Sequence, residues 1–238
     1  MRHVAELLPI WIVGVGPGHP SYITAQAAAL VQAARVVAGS KIPMETVSRW
    51  VQGEQIILED ESQQAQLKIL AEKAAMGHRC VVCALGDPSF SARELINQVA
   101  AVWRRVEVVP GISPVQTVCA RTGLGMDRSL FITFHKRGST ELDQRDFLNA
   151  ALEGARHLLV LPRPWDFMPA AMAQFLIRGG VSEDRRVSVY ESLTLAEERV
   201  TTWSLAELAR TQHNFSDLSV FVLLASAGDS SNLGKESS

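Results

Sequence analysis

The residues best placed to do chemistry in this sequence are glycines rather than acids or nucleophiles. Gly14-Val15-Gly16-Pro17-Gly18-His19-Pro20 follows the apolar run Ile10-Trp11-Ile12-Val13. Gly86-Asp87-Pro88-Ser89-Phe90 follows Cys80-Val81-Val82-Cys83-Ala84-Leu85, and Pro110-Gly111-Ile112-Ser113-Pro114 follows Val106-Glu107-Val108-Val109. Glycine lets main-chain N–H and C=O groups come close to a ligand. Three such turns therefore offer donors and acceptors to a polar small molecule. The first is not a dinucleotide fingerprint. G-x-G-x-x-G would place its third glycine where His19 stands, and the next apolar run, Val36-Val37-Ala38, ends in Gly39-Ser40-Lys41 without an acid to hold a ribose. NAD is rejected on both counts. A tight strand-to-helix turn with no ligand is the competing reading of the stretch by itself.

Cys80 and Cys83 form a C-x-x-C, which raises metal and redox chemistry. They sit in a strand-like run, however, where positions three apart point to opposite faces. No second Cys or His pair stands at zinc spacing. Buried structural thiols and no metal are expected.

The elements that must position the glycine turns alternate. Short β-branched runs are expected as strands at residues 10–13, 36–38, 56–58, 80–85 and 106–109, and helical patterns at 24–35, 61–76, 91–102 and 114–122. Residues 40–55 read as irregular, with Pro43 in a loop. Strand-loop-helix repetition argues for a mainly parallel sheet covered on both faces. Ligands of such sheets bind beyond the carboxyl ends of the strands, where all three glycine turns fall.

The pattern pauses at Gly123-Leu124-Gly125-Met126-Asp127-Arg128, giving an expected N-terminal α/β domain over 1–125 and a second over 126–226. The second holds strand patterns at 130–134, 157–161, 187–190, 198–202 and 218–224 with fewer helices between them, so a mixed sheet is expected. Asp166 is read as the N-cap of a helix reaching Arg178 and stopping at Gly179-Gly180. Residues 227–238 read as a disordered tail.

With 238 residues and 47% hydrophobic content the chain can bury a substantial core. A formal charge of −2, with scattered single charges, gives neither a nucleic-acid stripe nor an anionic-membrane patch. No apolar run spans a bilayer and no signal peptide is evident, which points to the cytoplasm.

The glycine turns, in that order and spacing, resemble the tetrapyrrole methylases, the S-adenosylmethionine-dependent enzymes that methylate corrin precursors. Pro110-Gly111-Ile112-Ser113-Pro114-Val115-Gln116, then Ala120-Arg121-Thr122-Gly123-Leu124, and later Glu191-Ser192-Leu193, Glu198-Arg199-Val200 and Leu205-Ala206-Glu207-Leu208, are most similar to the precorrin-6Y (cobalt-precorrin-7) C5-methyltransferase branch. The resemblance implies two α/β domains, usually in a homodimer, with the cofactor S-adenosylmethionine in a cleft between domains. It places Gly14, Gly16, Pro17, Gly18, Gly86, Asp87, Pro88 and Phe90 at the cofactor, with Ser113 and Thr117 on the adjoining loop and Leu161 lining the adenine pocket.

It also implies a corrin precursor as substrate, and that C15 methylation and decarboxylation fall to a separate partner protein. The sulfonium is already activated, so no catalytic base is named. The branch often carries His-Gly-Arg where this chain has His135-Lys136-Arg137-Gly138. Lys136 or Arg137 would pair with ring carboxylates, with His135 beside them; a solvated surface turn is the alternative. Two further functions stay open. One is another substrate within the superfamily: an earlier precorrin, uroporphyrinogen, or the diphthamide precursor. The other is a non-catalytic tetrapyrrole- or nucleotide-binding protein, suggested by departures from the branch: the Gly-Asp-Pro turn continues Ser89-Phe90-Ser91-Ala92-Arg93, where the branch commonly has an aromatic followed by glycine, and the second strand ends Gly39-Ser40-Lys41 instead of in paired arginines.

Overall fold

A computed structural model describes residues 8–226, and the tail expected from residue 227 lies outside them. Apolar strands too short for helices bury both faces where they lie inside a covered sheet, as residues 10–14, 36–39 and 80–84 do, while the edge strands at 54–57 and 106–109 stay partly exposed. β1 (Ile10–Gly14), β2 (Val36–Gly39), β3 (Glu54–Ile57), β4 (Cys80–Ala84) and β5 (Val106–Val109) form one sheet in the order β3-β2-β4-β1-β5. Every neighbouring pair is parallel. α1 (Ala25–Gln32) and α2 (Lys41–Val47) cover one face, where Ala27, Val31, Met44 and Val47 meet Val13, Val37, Val81 and Cys83. α3 (Gln63–Ala75) and α5 (Arg93–Val102), the latter preceded by the single turn α4 (Pro88–Ser91), serve the other. There Leu67, Leu70 and Val99 meet Ile10, Ile12, Val36, Ala38, Cys80 and Val82.

The contacts divide the chain after Ser113, so α6 (Pro114–Thr122) groups with the second unit. The glycine-rich run at which the division was expected follows that helix. In the second unit β6 (Ser129–Thr133), α7 (Glu141–Glu153), β7 (His157–Leu161), α8 (Pro169–Arg178), β8 (Arg186–Glu191), β9 (Arg199–Ser204), α9 (Leu205–Arg210) and β10 (Ser219–Leu223) follow in turn. The strand order is β6-β7-β10-β8-β9. Only β6 and β7 run parallel; the remaining pairs are antiparallel, making the sheet mixed. Its core is aromatic: Phe134, Phe147, Phe167 and Phe221 pack with Leu158, Val160, Met172 and Leu176, and Phe134 meets Phe167 edge-on at 4.8 Å.

Two local expectations are corrected. Residues 40–55 are not wholly irregular, because α2 runs through Pro43. Pro43 is its third residue, where a helix has no internal partner for an N–H and a proline costs nothing in hydrogen bonding. Asp166 does not cap α8. That helix begins at Pro169 behind Met168, and Asp166 instead binds Arg163.

Candidate functional site

The carboxyl ends of β1, β4 and β5 are adjacent because β1 sits between the other two, and their glycine turns touch. A Cβ on Gly14 would stand 2.5 Å from the Gly86 carbonyl oxygen and 2.6 Å from the Gly111 nitrogen. On Gly111 it would stand 2.3 Å from the same oxygen. Side chains are excluded from this crossing, so main chain alone lies where the turns meet. The Gly86 N–H donates to the Gly16 carbonyl at 2.8 Å and the Val15 N–H to the Ala84 carbonyl at 3.0 Å. Gly16 and Gly86 take φ of +86° and +68°, a region costly to residues with a Cβ.

The other predicted residues of this unit fall around the crossing. Asp87 caps α4, its Oδ1 accepting from the Ser89 N–H at 2.7 Å, and Pro88 is the first residue of that turn. Ser91, whose identity set the turn apart from the family pattern, holds the loop shut by donating to the Leu85 carbonyl at 3.0 Å. Pro17 and Gly18 are buried and Phe90 is half-buried. Ser113 ends the third turn, its hydroxyl buried. Thr46, which the sequence did not single out, donates to the Gly18 carbonyl at 2.8 Å and so pins the first loop to α2. The signal for it lay hidden with α2 itself. These residues suit S-adenosylmethionine, whose amino-acid, ribose and adenine groups need donors and acceptors at close range: a side-chain-free crossing, main-chain polar groups and one carboxylate.

Cys80 and Cys83 face opposite layers of the sheet. Burial pushes their thiols up to about 11 and about 12, helped at Cys80 by the Glu54 charge. Neither is a nucleophile at neutral pH. Among the described residues no group of three or more His, Cys, Asp and Glu is placed to hold a metal.

In the second unit Thr117 is buried on α6, and Leu161, the last residue of β7, is 8% exposed. The loop after β6 carries His135 and Arg137 exposed and Lys136 half-buried. Lys136 pairs with Asp143 on α7 at 2.6 Å, so its charge is already opposed. The loop after β7 reaches this one through Arg163, a residue the sequence did not mark. Its guanidinium grips both oxygens of Asp166, at 2.5 and 2.8 Å, and donates to the Gly138 carbonyl at 3.0 Å. The only hint in the sequence was the spacing Arg163-x-x-Asp166 inside a proline-bounded turn.

A second polar cluster closes the far part of this sheet. Buried Glu191 accepts from the Ser216 N–H at 2.9 Å and from Arg199 Nε at 3.1 Å, and faces His213 Nε2 at 3.2 Å. Two of the segments that resembled the C5 branch, Glu191-Ser192-Leu193 and Glu198-Arg199-Val200, thus flank the β8–β9 loop, where Ser192 and Thr194 adopt φ of +49° and +68°.

Residues 9–209, which include all three glycine turns, match the tetrapyrrole (corrin/porphyrin) methylases. The chain belongs to that family. This methylase is 27% identical, over 89% of its length and 97% of the relative's, to a probable cobalt-precorrin-7 C(5)-methyltransferase of Methanocaldococcus jannaschii. It is 28% identical, over 84% of each chain, to the S-adenosyl-L-methionine-dependent uroporphyrinogen III methyltransferase of Methanosarcina barkeri. Among solved structures it shares the fold of the precorrin-6Y methylase of Archaeoglobus fulgidus, at TM-score 0.67 and 22% identity, covering 92% of this chain and 99% of that one. It also shares the fold of the uroporphyrin-III C-methyltransferase of Thermus thermophilus in complex with S-adenosylhomocysteine, at TM-score 0.72 and 23% identity over 91% and 92% of the chains. No helix among the described residues is long and apolar enough to cross a membrane.

Proposed function

We propose that this methylase takes its methyl group from S-adenosylmethionine and delivers it to C5 of a late corrin precursor, precorrin-6Y or cobalt-precorrin-7. The observation that carries the substrate assignment is the match running through 97% of the probable cobalt-precorrin-7 C(5)-methyltransferase of Methanocaldococcus jannaschii. The cofactor assignment is supported by the glycine crossing, a shape that main-chain donors and acceptors alone can make.

The bound cofactor supplies a methyl group already activated on a sulfonium. The protein is left to bind, orient and exclude water. Gly14, Gly16, Pro17, Gly18, Gly86, Pro88, Phe90 and Ser113 present the main chain and the hydrophobic walls, and the Asp87 carboxylate offers an acceptor for a hydroxyl or ammonium group. Alignment of this kind contributes roughly 7–11 kcal/mol to a transfer between two bound partners. His135 and Arg137 are assigned to substrate carboxylates, Thr117 and Leu161 to the cofactor. The active form is assigned as a homodimer, with C15 methylation and decarboxylation left to a separate protein.

Calorimetric titration with S-adenosylhomocysteine tests the cofactor. Micromolar affinity is expected in the wild type. Asp87→Ser keeps a capping side chain on α4 and should bind at least tenfold more weakly at unchanged melting temperature. An absence of binding in the wild type would sink the methyltransferase reading. A second substrate, uroporphyrinogen III, is favoured by the 28% identity to the Methanosarcina barkeri enzyme. Product regiochemistry with each substrate decides between them.

A further inference from the structure

Trp165 is the one Phe, Tyr or Trp that is exposed among the described residues, at 58%. A large aromatic ring left in water forgoes a substantial hydrophobic gain. Its loop is nevertheless built to hold it there. Arg163 and Phe167 pair across the turn, the Arg163 N–H donating to the Phe167 carbonyl at 3.2 Å and the Phe167 N–H returning to the Arg163 carbonyl at 3.0 Å. Phe167 is anchored in the aromatic core, and Pro162 and Pro164 restrict the backbone on the near side. Trp165 stands at the tip of this closed turn. The Arg163 guanidinium lies 5.7 Å from its ring centre, and the His135 ring 6.4 Å away at a tilt of 46°. A rigid aromatic face with an imidazole beside it and Arg137 on the same loop as that imidazole suits a large, flat, polycarboxylate ring.

We propose that Trp165 is a stacking platform for the tetrapyrrole substrate, presented by the Arg163–Asp166 clasp and flanked by His135. The proposal rests on the tetrapyrrole-methylase reading and adds a specificity-determining residue to its substrate side. Stacking supplies ring affinity that does not depend on the side chains of the macrocycle, so acetate and propionate groups are left for the cationic neighbours to read.

The probe is uroporphyrin I, a stable octacarboxylate porphyrin, titrated against the wild type, Trp165→Ala and Trp165→Phe while the porphyrin absorption band is followed. S-adenosylhomocysteine affinity is measured in parallel on each. The wild type is expected to bind the porphyrin, Trp165→Ala to bind it about tenfold more weakly, and Trp165→Phe to retain most of the affinity. Cofactor-product binding should be the same in all three, which also shows that the variants fold. Equal porphyrin affinity in wild type and Trp165→Ala overturns the platform. Absence of porphyrin binding in a wild type that still binds S-adenosylhomocysteine also overturns it while leaving methyl transfer standing. If the wild type binds neither, the platform and the methylase reading fall together.

Discussion

The carboxyl edge of the first sheet and that of the second are made of opposite materials. Where β1, β4 and β5 end, the turns are packed backbone against backbone, and the three atoms nearest a Cβ added at Gly14 or at Gly111 are all main chain. Where β6 and β7 end, side chains dominate: Arg163 with Asp166, Lys136 with Asp143, Trp165 with His135. The first edge should resist any added atom yet be indifferent to charge. The second should accept added volume but respond to each lost charge or ring. Binding a chemically constant molecule suits the first kind of surface, and discriminating among variously substituted rings suits the second.

The largest expected effect attacks the crossing. Gly111→Ala would force a methyl group to within 2.3 Å of a carbonyl oxygen. Overpacking of this sort costs roughly 1–3 kcal/mol or more, here against backbone that cannot swing away. Loss of S-adenosylhomocysteine binding and a drop in melting temperature of several degrees are expected; normal values for both would erase the contrast between the edges.

Next is Arg163→Ala, which removes charge-assisted hydrogen bonds worth roughly 1.5–3 kcal/mol and unties Gly138 from the turn. Chemical denaturation should register that loss. Arg163→Lys should recover little of it, since an ammonium cannot span both oxygens of Asp166. Full rescue by lysine would mean that charge alone, without fork geometry, holds the second edge.

A third test is alkaline. Unfolded thiols release their protons near pH 9.0, whereas Cys80 and Cys83 in the fold hold theirs to about 11 and about 12. Between these limits the unfolded chain binds fewer protons, so stability falls as pH rises, by about 1.4 kcal/mol per pH unit for each thiol. Below pH 9 the contribution is constant. Cys83→Val should flatten the upper part of that decline in urea titrations run at stepped pH; an unaltered slope would contradict the burial of this thiol.

Gly77→Ala is the smallest effect and the control for the first. Gly77 has φ of +82°, but nothing lies within 4 Å of the point where the new methyl group would stand, leaving only the left-handed backbone cost of roughly 1–2 kcal/mol. Cofactor-product affinity should not change. A loss comparable with that of Gly111→Ala would show that crowding is not what distinguishes the crossing.

Much of the first edge could be read in advance because its signals are local. Apolar runs broken by glycine and proline state both where a strand ends and that its turn must be bare, and three such endings in one parallel sheet converge by topology. The second edge was less legible. Arg163, Trp165 and Asp166 form a unit only once Phe167 is anchored and β6 lies beside β7, and neither fact is written in a four-residue window. Asp166 carried a helix-cap signal that Arg163 outcompeted. Pro43 carried a loop signal that its position in the first helical turn made harmless. Thr46 was invisible for the same reason, since its partner is a carbonyl of the glycine loop 28 positions away in sequence.

The place of β4 in the first sheet has a consequence for how the protein is made. β1 pairs with β4 and β5, and β2 pairs with β3 and β4, but β1 and β2 do not touch. As the chain leaves the ribosome, β2 and β3 can zip together early while β1 waits with both edges bare. The central seam closes only when residues 80–84 emerge and slide between the two halves, a distant pairing of the kind that slows folding. Until then a strand of Ile10, Trp11, Ile12 and Val13 has neither of its native neighbours and offers two bare edges to whatever else can pair with them.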